Sequence, residues 1–221
     1  VESKVNPLVW AGAAVAAAAA FLAYRLFNPS MAFAAAGDDT GSDTSGDGSS
    51  APVSSGVASQ WDQAIAQAAS AASIDPVLLK SIVATETGFN PFAINPEKDF
   101  VLNGVSYKQY DRAGQAALVA WIQAGNEPAT IGLNPSLGIA QVRVGNAKKL
   151  INQLNAWDLF DAATCLEAAA YLIADDGTTL DTADMYNVGN GSNWARGVRN
   201  VPYRTKVQTF YAQFQGDFEN A

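Results

Sequence analysis

The sequence predicts a mainly α-helical domain over residues 57–221, preceded by an apolar N-terminal region (1–36) and an acidic Gly/Ser linker (37–56). Three observations carry this. Apolar residues recur at helical spacing through most of the last region. Helix-start and helix-stop residues bracket those runs. Convincing strand alternation is missing, apart from "DFVLNGVSYKQ" (99–109), where Asn103-Gly104 suits the turn of a small hairpin.

The N-terminal region contains no charge from Pro7 to Tyr24. As a helix, those 18 residues reach about 27 Å, barely the thickness of a bilayer core. Trp10 and Tyr24 stand near the ends, where amphipathic rings prefer the interface. Three readings fit: a membrane anchor, a secretory signal with small residues at "AFA" (32–34), or an alanine-rich helix packed in an assembly. Arg25 after the apolar run weighs against the signal, so an anchor is expected, with the membrane as a partner. The linker "GDDTGSDTSGDGSSAPVSSG" has four aspartates, no base and nothing to bury. It reads as a flexible tether of about 25 Å r.m.s. reach. Its aspartates lack the glutamate a calcium loop needs.

In the third region, Trp61, Ile65 and Ala68 share a face of a helix running to Ala72. Asp75-Pro76 supplies an N-cap and a proline for the next helix, with Leu79, Ile82 and Val83 on its buried stripe and Gly88 as its stop. Ala117, Trp121 and Ala124 are expected to line the inner face of a helix from Arg112 to Ala124. A short helix is expected over 146–154, bringing Leu150 and Leu154 together. Asp161 caps a helix to Ala174 with Leu166, Ala169, Ala170 and Ile173 inward. Tyr203, Val207, Phe210, Tyr211 and Phe214 mark the last helix.

Composition excludes several chemistries. Histidine is absent, which removes Ser-His-Asp and Cys-His catalysis and histidine metal sites, and no cofactor or metal is expected. The net charge of -8, without a basic stripe, argues against nucleic acid as a partner. Cys165 is the single cysteine and reads as a small buried hydrophobe.

One carboxylate breaks the pattern. In "ATETGFNPFAIN" (84–95), Glu86 follows Ile82 by four residues and Leu79 by seven, so it continues the core-facing stripe. Partial burial and the negative end of its helix both favour the protonated form. A glutamic acid still protonated near neutral pH is what general acid catalysis requires. The alternative is a structural glutamate neutralised by Lys80 or Arg143.

Four motifs occur in order: "ETGFNPFAIN", "PSLGIAQV" (135–142), "MYNVGNG" (185–191) and "YRTKV" (203–207). Over residues 60–215 they resemble the catalytic domain of soluble lytic transglycosylases, in the lysozyme-like superfamily with goose-type lysozyme. That family has Glu-Ser before Gly-Phe-Asn-Pro, then Gly-Leu-Met-Gln, Ala-Tyr-Asn-x-Gly and Tyr-Val-x-Lys-Val. Here Thr87 replaces the serine, Ala140 the methionine and Met185 the alanine, and none of these changes removes a proton-handling group. The long segment between Pro96 and Ser136 and the stretch "LFDAATCLEAAAYL" are similar to the type IV secretion or conjugation branch. Related enzymes also occur in phage particles.

The resemblance implies a peptidoglycan substrate cut between N-acetylmuramic acid and N-acetylglucosamine, with Glu86 as the catalytic acid and base. It assigns substrate contacts or positioning to Thr87, Gln141, Tyr186, Asn187 and Tyr203, with the Tyr203 hydroxyl donating to Glu86. Glu97, Asp99, Asp175 and Asp176 are expected to be solvated surface charges, and Ser136 to cap or bind backbone. The implied setting is a membrane-anchored domain in the periplasm or a virion-associated one, with secretion-channel or virion proteins as further partners. Secretion after signal cleavage is the alternative. The rival functions are a hydrolytic muramidase and a catalytically silent structural component.

Overall fold

A computed structural model describes residues 60–189 and 193–218. The N-terminal region and linker lie outside these residues, so the anchor expectation is not met or overturned there. Among the described residues, no helix is long and apolar enough to cross a membrane.

Helix α1 (Asp62–Ala72) is followed by α2 (Pro76–Thr87). Asp75 caps α2 by accepting from the Val77 amide at 2.8 Å, with Pro76 at the first helical position. Leu79, Ile82 and Val83 are fully buried, and Gly88 ends the helix in the left-handed region (φ 59°). Beyond it come β1 (Ile94–Asn95), β2 (Phe100–Leu102) and β3 (Val105–Tyr107). Strands β2 and β3 form the expected hairpin, with Asn103 (φ 51°) and Gly104 (φ 80°) both left-handed at the turn.

Helix α3 (Arg112–Gln123) leads through a 3-10 turn (Pro128–Ile131) to β4 (Ser136–Leu137) and β5 (Val142–Arg143). Helix α4 (Val144–Leu150) and a second 3-10 turn (Ala156–Phe160) precede α5 (Ala162–Asp176). A third 3-10 turn (Leu180–Thr182), α6 (Asp184–Val188) and α7 (Val201–Phe214) complete the order. Helix α2 packs against α7 and α1, and α1 packs against α5. The core between them contains Ile65, Leu79, Ile82, Leu166, Ile173 and Val207, all fully buried.

Three expectations are corrected. Helix α3 buries Gly114, Leu118 and Ile122 most deeply; Ala117 and Trp121 of the expected stripe pack partly buried against the core beside them, and Ala124 is exposed. Alanines around the whole helix blur its apolar arc. Helix α4 stops at Leu150, and Leu154 is buried from the loop that follows. A three-stranded antiparallel sheet, β1-β4-β5, was not anticipated, because two-residue strands are too short to show alternation.

Cys165 is buried and pushed up to about 12 by desolvation, an inert thiol as expected. Gly138 explains the close packing beside it. Its φ is 75°, and a Cβ there would lie 2.1 Å from the Leu159 carbonyl oxygen and 2.7 Å from Cys165 Sγ. At the other pole, buried Lys80 extends its ammonium group to Asp62 of α1 and Asp217 beyond α7. The Phe214 ring lies 4.8 Å below that ammonium.

Candidate active site

Glu86 occupies the last turn of α2, where the stripe that buries Leu79 and Ile82 carries it toward α7. The residue is half-buried, and protein surrounds most of its carboxyl group. Desolvation is the largest influence and raises its pKa from 4.5 to about 7. The Tyr203 hydroxyl and the more distant Lys206 charge oppose this rise, while Glu97 adds to it. Tyr203 donates to Glu86 Oε1 at 2.7 Å. That bond joins the first turn of α7 to the last turn of α2, 117 residues apart in sequence. Neither cation of the structural alternative is available: Lys80 is engaged by Asp62 and Asp217, and Arg143 by Glu97 at 3.0 Å.

The loop between β4 and β5 is drawn under this carboxyl by two hydroxyls. Thr87 Oγ1 donates to the Ile139 carbonyl at 2.6 Å and accepts from the Asn90 amide at 3.2 Å. Tyr186 on α6 donates to the Ala140 carbonyl at 2.7 Å. Thr87 thus joins the loop at Ile139 to the turn at Asn90 instead of bonding the carboxyl itself. Gln141 sits at φ 51°, and its amide donates back to the Gly138 carbonyl at 3.2 Å. Burial and then the Glu86 charge hold both Tyr186 and Tyr203 well above the usual phenol range, so each hydroxyl remains a donor. Asn187 is exposed on α6 and accepts from Asn200 Nδ2 at 2.8 Å.

Glu86, Thr87, Gln141, Tyr186 and Tyr203 are therefore linked around one loop, the end of α2, the short α6 and the start of α7, and Asn187 stands beside Tyr186 on α6. Two expectations about neighbouring residues are corrected. Glu97 is not a solvated surface charge, because it accepts from Ser136 Oγ at 2.6 Å and from Arg143. Ser136 accordingly binds a side chain and not backbone. This Glu97-Ser136-Arg143 cluster ties the segment after β1 to β4 and β5. It is invisible to periodicity because its members are 39 and 46 residues apart from Glu97. Asn200 was also overlooked, although Asn before Val-Pro is a legible helix-start signal. Among the described residues, no group of three or more carboxylate or thiol side chains is arranged to hold a metal ion.

A mainly helical domain with a small sheet is consistent with a lysozyme-like fold. The model of the transglycosylase SLT domain matches residues 63–205, and the chain belongs to that family. Membership supports lytic transglycosylase activity on peptidoglycan. Neither the curated proteins nor the solved structures compared with the chain give a match.

Proposed function

We propose that this domain cleaves the β-1,4 bond between N-acetylmuramic acid and N-acetylglucosamine without water, using Glu86 as its acid and base. The observation that carries this reading is one desolvated carboxyl at about 7, hydrogen-bonded by Tyr203 and not matched with Lys80 or Arg143. Near neutral pH such a group exists in both protonation states, as a two-stage mechanism requires. Protonated Glu86 gives its proton to the glycosidic oxygen as the bond to C1 breaks, releasing N-acetylglucosamine with a 4-hydroxyl. The N-acetyl carbonyl of the substrate steadies the cationic centre. The Glu86 carboxylate then takes the proton from the C6 hydroxyl as O6 bonds to C1. A 1,6-anhydro sugar leaves, and Glu86 is protonated again.

Tyr203 orients the carboxyl in both stages. Thr87, Gln141 and Tyr186 set the floor beside it, and Asn187 offers an amide to the sugar's N-acetyl group. Digestion of purified peptidoglycan followed by mass spectrometry tests the reading. Wild type should release fragments ending in anhydro sugars, and Glu86→Gln should release none. Fragments one water heavier, with reducing ends, would show hydrolysis instead. One observation favours that second reading: Glu97 is a second carboxylate near enough to raise the pKa of Glu86.

The uncharged stretch from Pro7 to Tyr24 and the aspartate-rich linker support a membrane-anchored enzyme acting in the periplasm, or one carried by a virion. The segment between Pro96 and Ser136 supports a place in a secretion or conjugation apparatus, where the domain opens the wall locally.

A further inference from the structure

Asn200 stands where two arms of this site meet. As the N-cap of α7, its Oδ1 accepts from the Tyr203 amide at 3.2 Å. Its Nδ2 donates to Asn187 Oδ1 at 2.8 Å. Its own amide donates to Asp184 Oδ2 at 2.9 Å, and its carbonyl accepts from the Arg204 amide at 3.1 Å. Asp184 is fully buried, and its other carboxylate oxygen faces the Arg204 guanidinium at 3.8 Å. Every polar group of Asn200 is thus engaged within the protein. One arm runs through Tyr203 to Glu86. The other engages the Asn187 carbonyl, so the Asn187 NH2 group is left to face away from Asn200.

We propose that Asn200 is a positioning residue for the site proposed above, holding Tyr203 against Glu86 through its oxygen and presenting the donor face of Asn187 to substrate through its nitrogen. The choice of residue follows from its chemistry. Serine or aspartate caps a helix equally well, but each offers the helix an acceptor without the amide NH2 that reaches Asn187. Aspartate would also place a second carboxylate beside buried Asp184. Asparagine supplies both functions at once.

The inference rests on Glu86 and Asn187 acting as proposed, so its test uses readouts that need no turnover. In the full chain, Asn200→Ser keeps the cap and loses the bond to Asn187, whereas Asn200→Ala loses both. The Glu86 pKa is followed by carbon NMR of its carboxyl, affinity by calorimetry with a soluble peptidoglycan fragment, and folding by Tm. Asn200→Ser should leave the Glu86 titration at about 7 while weakening fragment binding about fivefold, the value of one hydrogen bond. Asn200→Ala should weaken binding similarly and also raise the Glu86 pKa, because the Tyr203 bond that lowers it is loosened. A cap with only a structural purpose would lower the Tm of Asn200→Ala and move neither readout, and that result overturns the inference. Wild type that binds and titrates as described but forms no anhydro product would refute the proposed function and leave the Asn200 result standing.

Discussion

Replacing Glu86 by glutamine should stabilise the domain, and only above a definite pH. The carboxyl titrates near 7 in the folded protein against 4.5 in the unfolded chain. Below 4.5 both states bind the proton, and burial of the neutral acid carries no ionisation penalty. Between 4.5 and 7 the folded state keeps a proton that the unfolded state has lost, so stability falls as pH rises. Above this window the full penalty is present. The difference of 7 - 4.5 = 2.5 pH units corresponds to about 3 kcal/mol. Glutamine has no proton to lose and still offers an oxygen to the Tyr203 hydroxyl. Thermal unfolding followed by circular dichroism at pH 4 and pH 8 measures this. At pH 8, Glu86→Gln should melt roughly 6–12 °C above wild type for a domain of this size, and at pH 4 the two should nearly coincide. A Tm difference equal at both pH values, or one larger at pH 4 than at pH 8, would refute the desolvated carboxyl and the acid-base assignment with it.

Tyr203→Phe removes the only hydrogen bond shown to Glu86 among the described residues, so the Glu86 pKa should rise and kcat should fall about tenfold, read from a pH-rate profile. Glu97→Gln should do the reverse to the pKa, moving the profile to lower pH, because its charge raises the Glu86 pKa. If it also abolishes product release, Glu97 takes part in the chemistry. Gly138→Ala should cost about 3 kcal/mol or more in denaturant unfolding, since the added methyl meets backbone at 2.1 Å from a left-handed φ.

What the sequence disclosed follows the range of each interaction. The stripe from Leu79 through Ile82 to Glu86 is local, and the helix that carries it begins and ends at Asp75 and Gly88 as the capping residues dictate. The period of α7 was equally plain and put Tyr203 on its inner face, while the bond to Glu86 was what the family resemblance implied. The alanine-rich α3 offered no such contrast, and its expected stripe caught Ala117 and Trp121 at the margin of the core while missing the buried Leu118 and Ile122. Strands of two residues have no period at all, so the sheet and the carboxylate clamped to it by Ser136 and Arg143 emerged only with the fold. Tyr186 could be picked out by its motif, but its partner, the Ala140 carbonyl, is a backbone atom 46 residues away. The directions of Thr87 and Gln141, toward backbone carbonyls, depended on the same distant loop.

The ammonium of Lys80 joins α1 to the tail beyond α7, and this decides where the domain can be cut. Removing residues from 215 onward would spare every helix from α1 to α7 yet strip one counter-ion from an interior cation. The loss would destabilise α2 itself, whose far end bears Glu86. Removing residues 215–221 should therefore be felt at the end of α2 that bears Glu86, transmitted along a single helix.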